Sequence, residues 1–214
     1  MFRKLKEKIY QKKGQKLLAA QKAEKANKYF LKCIVLNQSA ENLFNLALSY
    51  MALYQYTEAE IYLRRIYEKL PQNELNALAL IESLLLQRKW HSLNTILPDL
   101  KKNLPASDSI KKYNNIISDA VEREKYVNFR EHIQFAFQEV DQGNTDAALE
   151  HFLKAETYFK DSFDIIQNIG IIYFQKSDYD NAYKYFEKAL SLAPGNLRIQ
   201  KNLIKTKKMI NSQK

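Results

Sequence analysis

Glycine, proline, cysteine and histidine are all scarce in this chain of 214 residues. There are four glycines, four prolines, three histidines and one cysteine. Few glycines and prolines means few helix breakers, which suits a mostly helical chain. The lone Cys33 excludes an internal disulfide framework and requires no oxidising compartment. No apolar run reaches the ~20 residues of a membrane-spanning helix. The N-terminal MFRKLKEKIYQKKGQK is basic but has no apolar stretch behind it, so it does not read as a secretory signal. A soluble cytoplasmic protein is expected. Catalytic patterns are missing too. No HExxH occurs, no Cys–His pair has zinc spacing, and Gly14 followed by Lys16 is not a phosphate loop. Carboxylate pairs such as Glu58/Glu60 and Asp178/Asp180 sit where helices begin, and stabilising a helix N-terminus accounts for them. No enzyme, metal or cofactor is expected.

What the chain does have is charge, unevenly placed. Residues 1–32 hold eleven Lys/Arg against two Glu, a balance of +9, and residues 197–214 hold six Lys/Arg and no acid. The segment between them, 33–196, has 17 basic and 22 acidic residues. Two basic ends flank an acidic body, an asymmetry that bears on partners and not on fold.

It also has a period. Gly170, Tyr173, Ala182, Phe186, Ala189 and Pro194 recur in kind at Ala47, Tyr50, Ala59, Leu63, Ile66 and Pro71. This pattern frames repeats at 163–196 and 40–73. A third, 74–107, carries Ala77, Leu80, Ile81 and Leu84, then Leu93, Leu97, Leu100 and Pro105. A fourth, 129–162, has Phe135, Ala136, Gly143, Ala148, Phe152 and Ala155, and a first, roughly 7–39, has Tyr10, Gly14, Leu17, Ala26, Phe30 and Cys33. Expected helix starts are a capping box at Thr57/Glu60, another at Asn128/Glu131, and single caps at Asp108 and Asp180. Pro98 falls inside a second helix of a pair and should kink or shorten it. Residues 108–128 interrupt the period, and Ile110, Tyr113, Ile117, Ala120 and Val121 predict one extra helix there, either separate from the next or continuous with it. Leu197, Leu203, Ile204 and Ile210 predict a helix that covers the last apolar face.

A small, aromatic, small, bulky, small, proline pattern on a 34-residue period resembles the tetratricopeptide repeat family. The resemblance implies an all-α, right-handed superhelical solenoid of about five helix–turn–helix repeats, plus the inserted helix and a C-terminal capping helix. The expected organisation is 1–107 (basic segment and repeats one to three), 108–128 (insert), 129–196 (repeats four and five) and 197–214 (basic cap). It also implies a concave groove lined by the first helix of each pair. By that carry-over the groove residues are Phe44, Asn45, Leu48 and Met51, then Leu75, Leu78 and Glu82, then Arg130, Gln134 and Phe137, then Asn168, Ile171 and Phe174. Arg198, Lys201, Asn202 and Lys205 of the cap follow.

The function implied is a non-catalytic scaffold or adaptor that holds a peptide or helix of a partner protein in the groove. The partner segment would be apolar or acidic. Family members that grip chaperone C-termini resemble one another in a set of Lys, Asn and Arg. The matching positions here are Gln11, Gln15, Asn45, Leu75 and Ala79, and only Asn45 agrees, which argues against that ligand. Two alternatives stand: a small chaperone holding an apolar segment in the second and third repeats, and a basic binder of nucleic acid or a membrane surface. For the latter, Phe2, Leu5 and Ile9 with Lys4, Lys6, Lys8 and Lys12 form an amphipathic pattern. His132 and His151 fall on the two helices of the fourth repeat, but two neutral ligands make a poor metal site.

Overall fold

The structure, a computed structural model, describes residues 2–213. Among these are twelve α-helices and no strand. They are α1 (Phe2–Ala19), α2 (Ala23–Leu36), α3 (Ala40–Ala52), α4 (Tyr56–Tyr67), α5 (Glu74–Leu86), α6 (Trp90–Asn103), α7 (Asp108–Ser118), α8 (Ala120–Gln142), α9 (Thr145–Tyr158), α10 (Phe163–Gln175), α11 (Tyr179–Leu192) and α12 (Leu197–Ser212). The chain divides into two compact units, one ending at Arg123 and one beginning at Glu124, so the division falls inside α8.

Three helices, α3, α5 and α7, start on a short polar side chain at a fixed period. Ser39, Asn73 and Ser107 precede α3, α5 and α7, and accept from the backbone N–H of Asn42, Asn76 and Ile110 at 3.3, 3.1 and 3.1 Å. Asn196 does the same for α12 through the N–H groups of Arg198 and Ile199. Each such bond satisfies one of the N–H groups that a helix start leaves without an intrahelical partner.

The turn inside each pair has a different cause. Gln21, Tyr54, Arg88, Gly143 and Ser177 all have positive φ, between 52° and 80°. The next N–H bonds back five residues, from Lys22 to Leu17 O, Gln55 to Tyr50 O, Lys89 to Leu84 O, Asn144 to Glu139 O and Asp178 to Tyr173 O, at 2.8–3.0 Å. This is a Schellman turn repeated in all five pairs. Only Gly143 is the residue type that occupies left-handed backbone without steric cost. The other four turns place a side-chain-bearing residue there, against the steric preference of an L residue.

Several expected starts are therefore corrected. Ser107, not Asp108, caps α7. Asp178, not Asp180, caps α11, accepting from Asn181 N at 3.2 Å. Thr57 is not a cap: α4 begins at Tyr56, and the Thr57 hydroxyl donates to Gln87 Oε1 at 3.0 Å. Glu60 instead holds Arg64 Nε and Lys89 Nζ, each at 2.7 Å. Asn128 and Glu131 lie well inside α8 and cap nothing. The insert holds the expected extra helix, α7, and of the two alternatives it is separate from the next helix. Asp119, at φ −106° and ψ 122°, divides the two, and its carboxylate accepts from Val121 N and Glu122 N at 2.7 and 3.1 Å to start α8. Because Ser107 keeps the spacing of Ser39 and Asn73, α7 starts where the first helix of a further pair would start. Nor does Pro98 shorten its helix: α6 runs fourteen residues, as α2 and α11 do.

The cores form where small and bulky residues of the second helix of a pair pack against its neighbours. In the unit ending at Arg123, Ala26, Phe30 and Leu46 form one cluster, with Leu17, Leu18, Tyr50 and Tyr62 against it. In the other unit, Ala136, Ala148, Phe152 and Ile169 form a second, and Ile166, Ala182, Phe186, Ala189 and Ile199 a third. Cys33 is fully buried, its Sγ 3.8 Å from Glu7 O. Burial, with help from Glu7 and Glu41, pushes its thiol up to about 11, so it stays protonated at neutral pH as a small core residue.

Candidate functional site

The residues expected in the groove divide between the two units. In the first, Phe44, Leu48 and Met51 on α3 are half-buried, as is Leu78 on α5, whereas Leu75 is 69 % exposed. Asn45 is buried, and its Nδ2 has no hydrogen-bond partner. Glu82 is only 7 % exposed. Tyr113 of α7 donates its hydroxyl to Glu82 Oε2 at 2.7 Å, so the helix in the insert occludes this carboxylate. The sequence holds the signal for that occlusion, since Ser107 repeats the spacing of the earlier caps and brings a helix alongside α5.

In the second unit, Arg130, Gln134 and Phe137 on α8 are half-buried, and Phe137 stands edge-on to Phe152 with ring centroids 5.4 Å apart. Asn168 is half-buried on α10. A cleft of about 350 Å³ opens between α10 and α12, and it brings together several of the residues expected at this end. Ile171, Phe174 and Phe186 give it an apolar floor, and Gln175, Arg198, Asn202 and Lys205 its polar wall. Lys205 Nζ stands 4.7 Å above the Phe174 ring, an arrangement that fixes the ammonium over the floor. The first turn of α12 contains no acid to offset its positive end. Two cations and two amides beside an apolar floor can hold an anionic group next to a hydrophobic one. Lys201 is exposed and does not line the cleft. Gln175 and Phe186 were not among the expected groove residues. Gln175 is the last residue of α10 and reaches the cleft only because α12 crosses there.

His132 and His151 do meet, with Nδ1 atoms 3.1 Å apart between α8 and α9. Tyr158 lies parallel to His132 at 6.0 Å, and Phe135 lies 5.4 Å from His151. Among the described residues no group of three or more His, Cys, Asp or Glu is arranged to hold a metal. At this distance one ring donates and the other accepts, so the contact requires at least one neutral imidazole. Burial first, then the charge of His151 and that of Lys154, hold His132 below the usual histidine range, with Glu131 and Glu150 opposing. A base whose folded pKa lies below its unfolded value stabilises the fold fully above the unfolded value of about 6.5, and that contribution is lost as pH falls. The melting temperature should therefore drop between about pH 7.5 and about pH 5.5, and the slope should flatten in His132→Phe, which keeps the stack on Tyr158. Equal slopes in thermal melts of parent and variant would refute this.

Residues 164–196, nearly all of α10 and α11 with the turn that follows, match the model of the tetratricopeptide repeat. Among solved structures, a tetratricopeptide repeat protein from Parabacteroides merdae ATCC 43184 is 13% identical, with 94% of this chain and 84% of that one covered and a TM-score of 0.52. TTC0263, a thermophilic repeat protein of the same kind from Thermus thermophilus, is 18% identical over 94% of this chain and 98% of its own, at a TM-score of 0.46. MamA from Desulfovibrio magneticus RS-1 is 16% identical over 90% and 97%, at 0.44. No curated protein matches by sequence. Among the described residues no helix is long and apolar enough to cross a membrane. The match over α10 and α11 identifies a tetratricopeptide repeat at residues 164–196, and the likeness to the Parabacteroides protein shows that the rest of the chain shares the same helical-repeat fold.

Proposed function

We propose that this chain is a non-catalytic cytoplasmic adaptor that holds a segment of a partner protein, and that the cleft between α10 and α12 takes an acidic side chain or carboxylate of that segment beside an apolar one. The observation that carries the reading is the composition of the cleft: Arg198 and Lys205 on one wall, Ile171 and Phe174 beneath. The floor supplies apolar contact, and the two cations supply steering and sign selection, which suits an acidic-apolar peptide better than a purely apolar one. A second reading, a chaperone that holds an apolar segment, draws on Leu75, which is 69 % exposed beside half-buried Leu48, Leu78 and Met51.

Peptide display on the full-length chain separates the two. Selected peptides should pair Asp or Glu with an aromatic or aliphatic residue. Arg198→Glu with Lys205→Glu should weaken them about tenfold or more, roughly 1.4 kcal/mol per factor of ten, while helicity is unchanged. Leu48→Asp with Leu78→Asp should leave them bound. Purely apolar peptides lost in the Leu48/Leu78 variant and kept in the Arg198/Lys205 variant would reject the first reading for the second.

A further inference from the structure

The first helix carries an apolar stripe that its own packing does not use. Phe2, Leu5 and Ile9 are 83, 57 and 53 % exposed. At about 100° of rotation per residue they fall within about 60° of one another on α1. The packed side of α1 is elsewhere. Gly14, the buried residue of the helix, and Leu17 and Leu18, which rest on the cluster around Phe30, centre about 140° away on the same wheel. Lys6, Lys12, Lys13 and Lys16 are exposed and lie within about 60° of the centre of the stripe. No acidic residue occupies the first turn of α1, and residues 1–32 carry a balance of +9.

We propose that α1 docks on an anionic lipid surface, with Phe2, Leu5 and Ile9 set into the headgroup boundary and the lysines beside them on the lipid phosphates. A convex helix face with three apolar side chains in line and cations on both flanks matches a plane that is apolar below and negative at its surface. Another copy of this chain is a poor occupant, because two segments each at +9 would have to meet face to face. Nucleic acid leaves most of the stripe unused: strands are held by phosphate neutralisation and by stacking on aromatic rings, and Leu5 and Ile9 supply neither. The inference is independent of the cleft between α10 and α12, so either can fail without the other.

Vesicle flotation of the full-length chain tests it. The parent should float with phosphatidylcholine vesicles containing about 30% phosphatidylglycerol and not with pure phosphatidylcholine, and high salt should weaken the association. Phe2→Ser, Leu5→Ser and Ile9→Ser together should lower the partition about tenfold or more, because exposed apolar area is lost from the docked face alone. The circular dichroism and melting temperature of this variant should match the parent. Lys12→Glu with Lys16→Glu should lower the partition as well, whereas Leu197→Ser with Ile204→Ser on α12 should leave it unchanged. The proposal falls if the parent ignores phosphatidylglycerol, if the triple serine variant floats as well as the parent, or if the α12 variant is the one that loses binding. Tighter binding to single-stranded RNA than to the vesicles, lost in the same triple variant, would also overturn it.

Discussion

Phe186→Ala is expected to remove about 3–5 kcal/mol from the unit that begins at Glu124. The ring is 1 % exposed and sits among Ile166, Ala182, Ala189 and Ile199, with Tyr173, Phe174 and Leu203 closing around it. Three helices supply these neighbours, so no single rotamer change refills the space. The same ring forms part of the floor between α10 and α12, and its loss also deepens the cleft. A whole domain is stable by only about 5–15 kcal/mol, so the variant should begin to unfold at far lower urea than the parent. Acidic peptide binding should fall with it even under conditions where helicity survives. A midpoint within error of the parent would mean that α10, α11 and α12 do not share one core.

Gly170→Ala and Gly14→Ala are expected to destabilise, each by about 1–3 kcal/mol of overpacking against a gain of about 1 kcal/mol from helix propensity. A Cβ at Gly170 would stand 2.8 Å from Phe186 Cε1 and 3.3 Å from Tyr185 Cβ. At Gly14 it would stand 2.6 Å from Phe30 Cε1. Both phenylalanines are fully buried, and a packed ring cannot swing away as an exposed side chain does. Gly195→Ala is the control, since nothing lies within 4 Å of its Cβ position. The chain contains its own remedy. Ala47 and Leu63 occupy in the second repeat the positions of Gly170 and Phe186 in the fifth. Gly170→Ala combined with Phe186→Leu should therefore be more stable than the sum of the two single changes. Strict additivity would show that the two sites do not touch.

The pairing of Gly14 with Phe30 and of Gly170 with Phe186 is readable from residue order, because both members recur at the same offset. The helix ends are less so. Asp108, Thr57, Asn128 and Asp180 are all good capping residues by type, yet none caps a helix start. Residue type alone does not separate them from Ser107 and Asp178, one position or two away. The discriminating signal is the spacing of Ser39, Asn73 and Ser107. The break at Asp119 has no such signal, since the sequence around it contains no glycine or proline and an apolar stripe runs through it.

Residue order was enough for the all-α class, the repeat frame, the burial of Cys33 and the two basic ends. The class and the burial follow from patterns within a turn or two of helix, the frame from a 34-residue recurrence and the basic ends from charge, all of which are read along the chain. It was not enough to show that Tyr113 covers Glu82, that His132 meets His151 through Nδ1, or that Gln175 and Phe186 join Arg198 and Lys205 around one cleft. Each of these contacts depends on how one helix lies across another. A side chain's position on its own helix fixes the face it occupies, but the neighbouring helix decides whether that face is core, cleft or solvent.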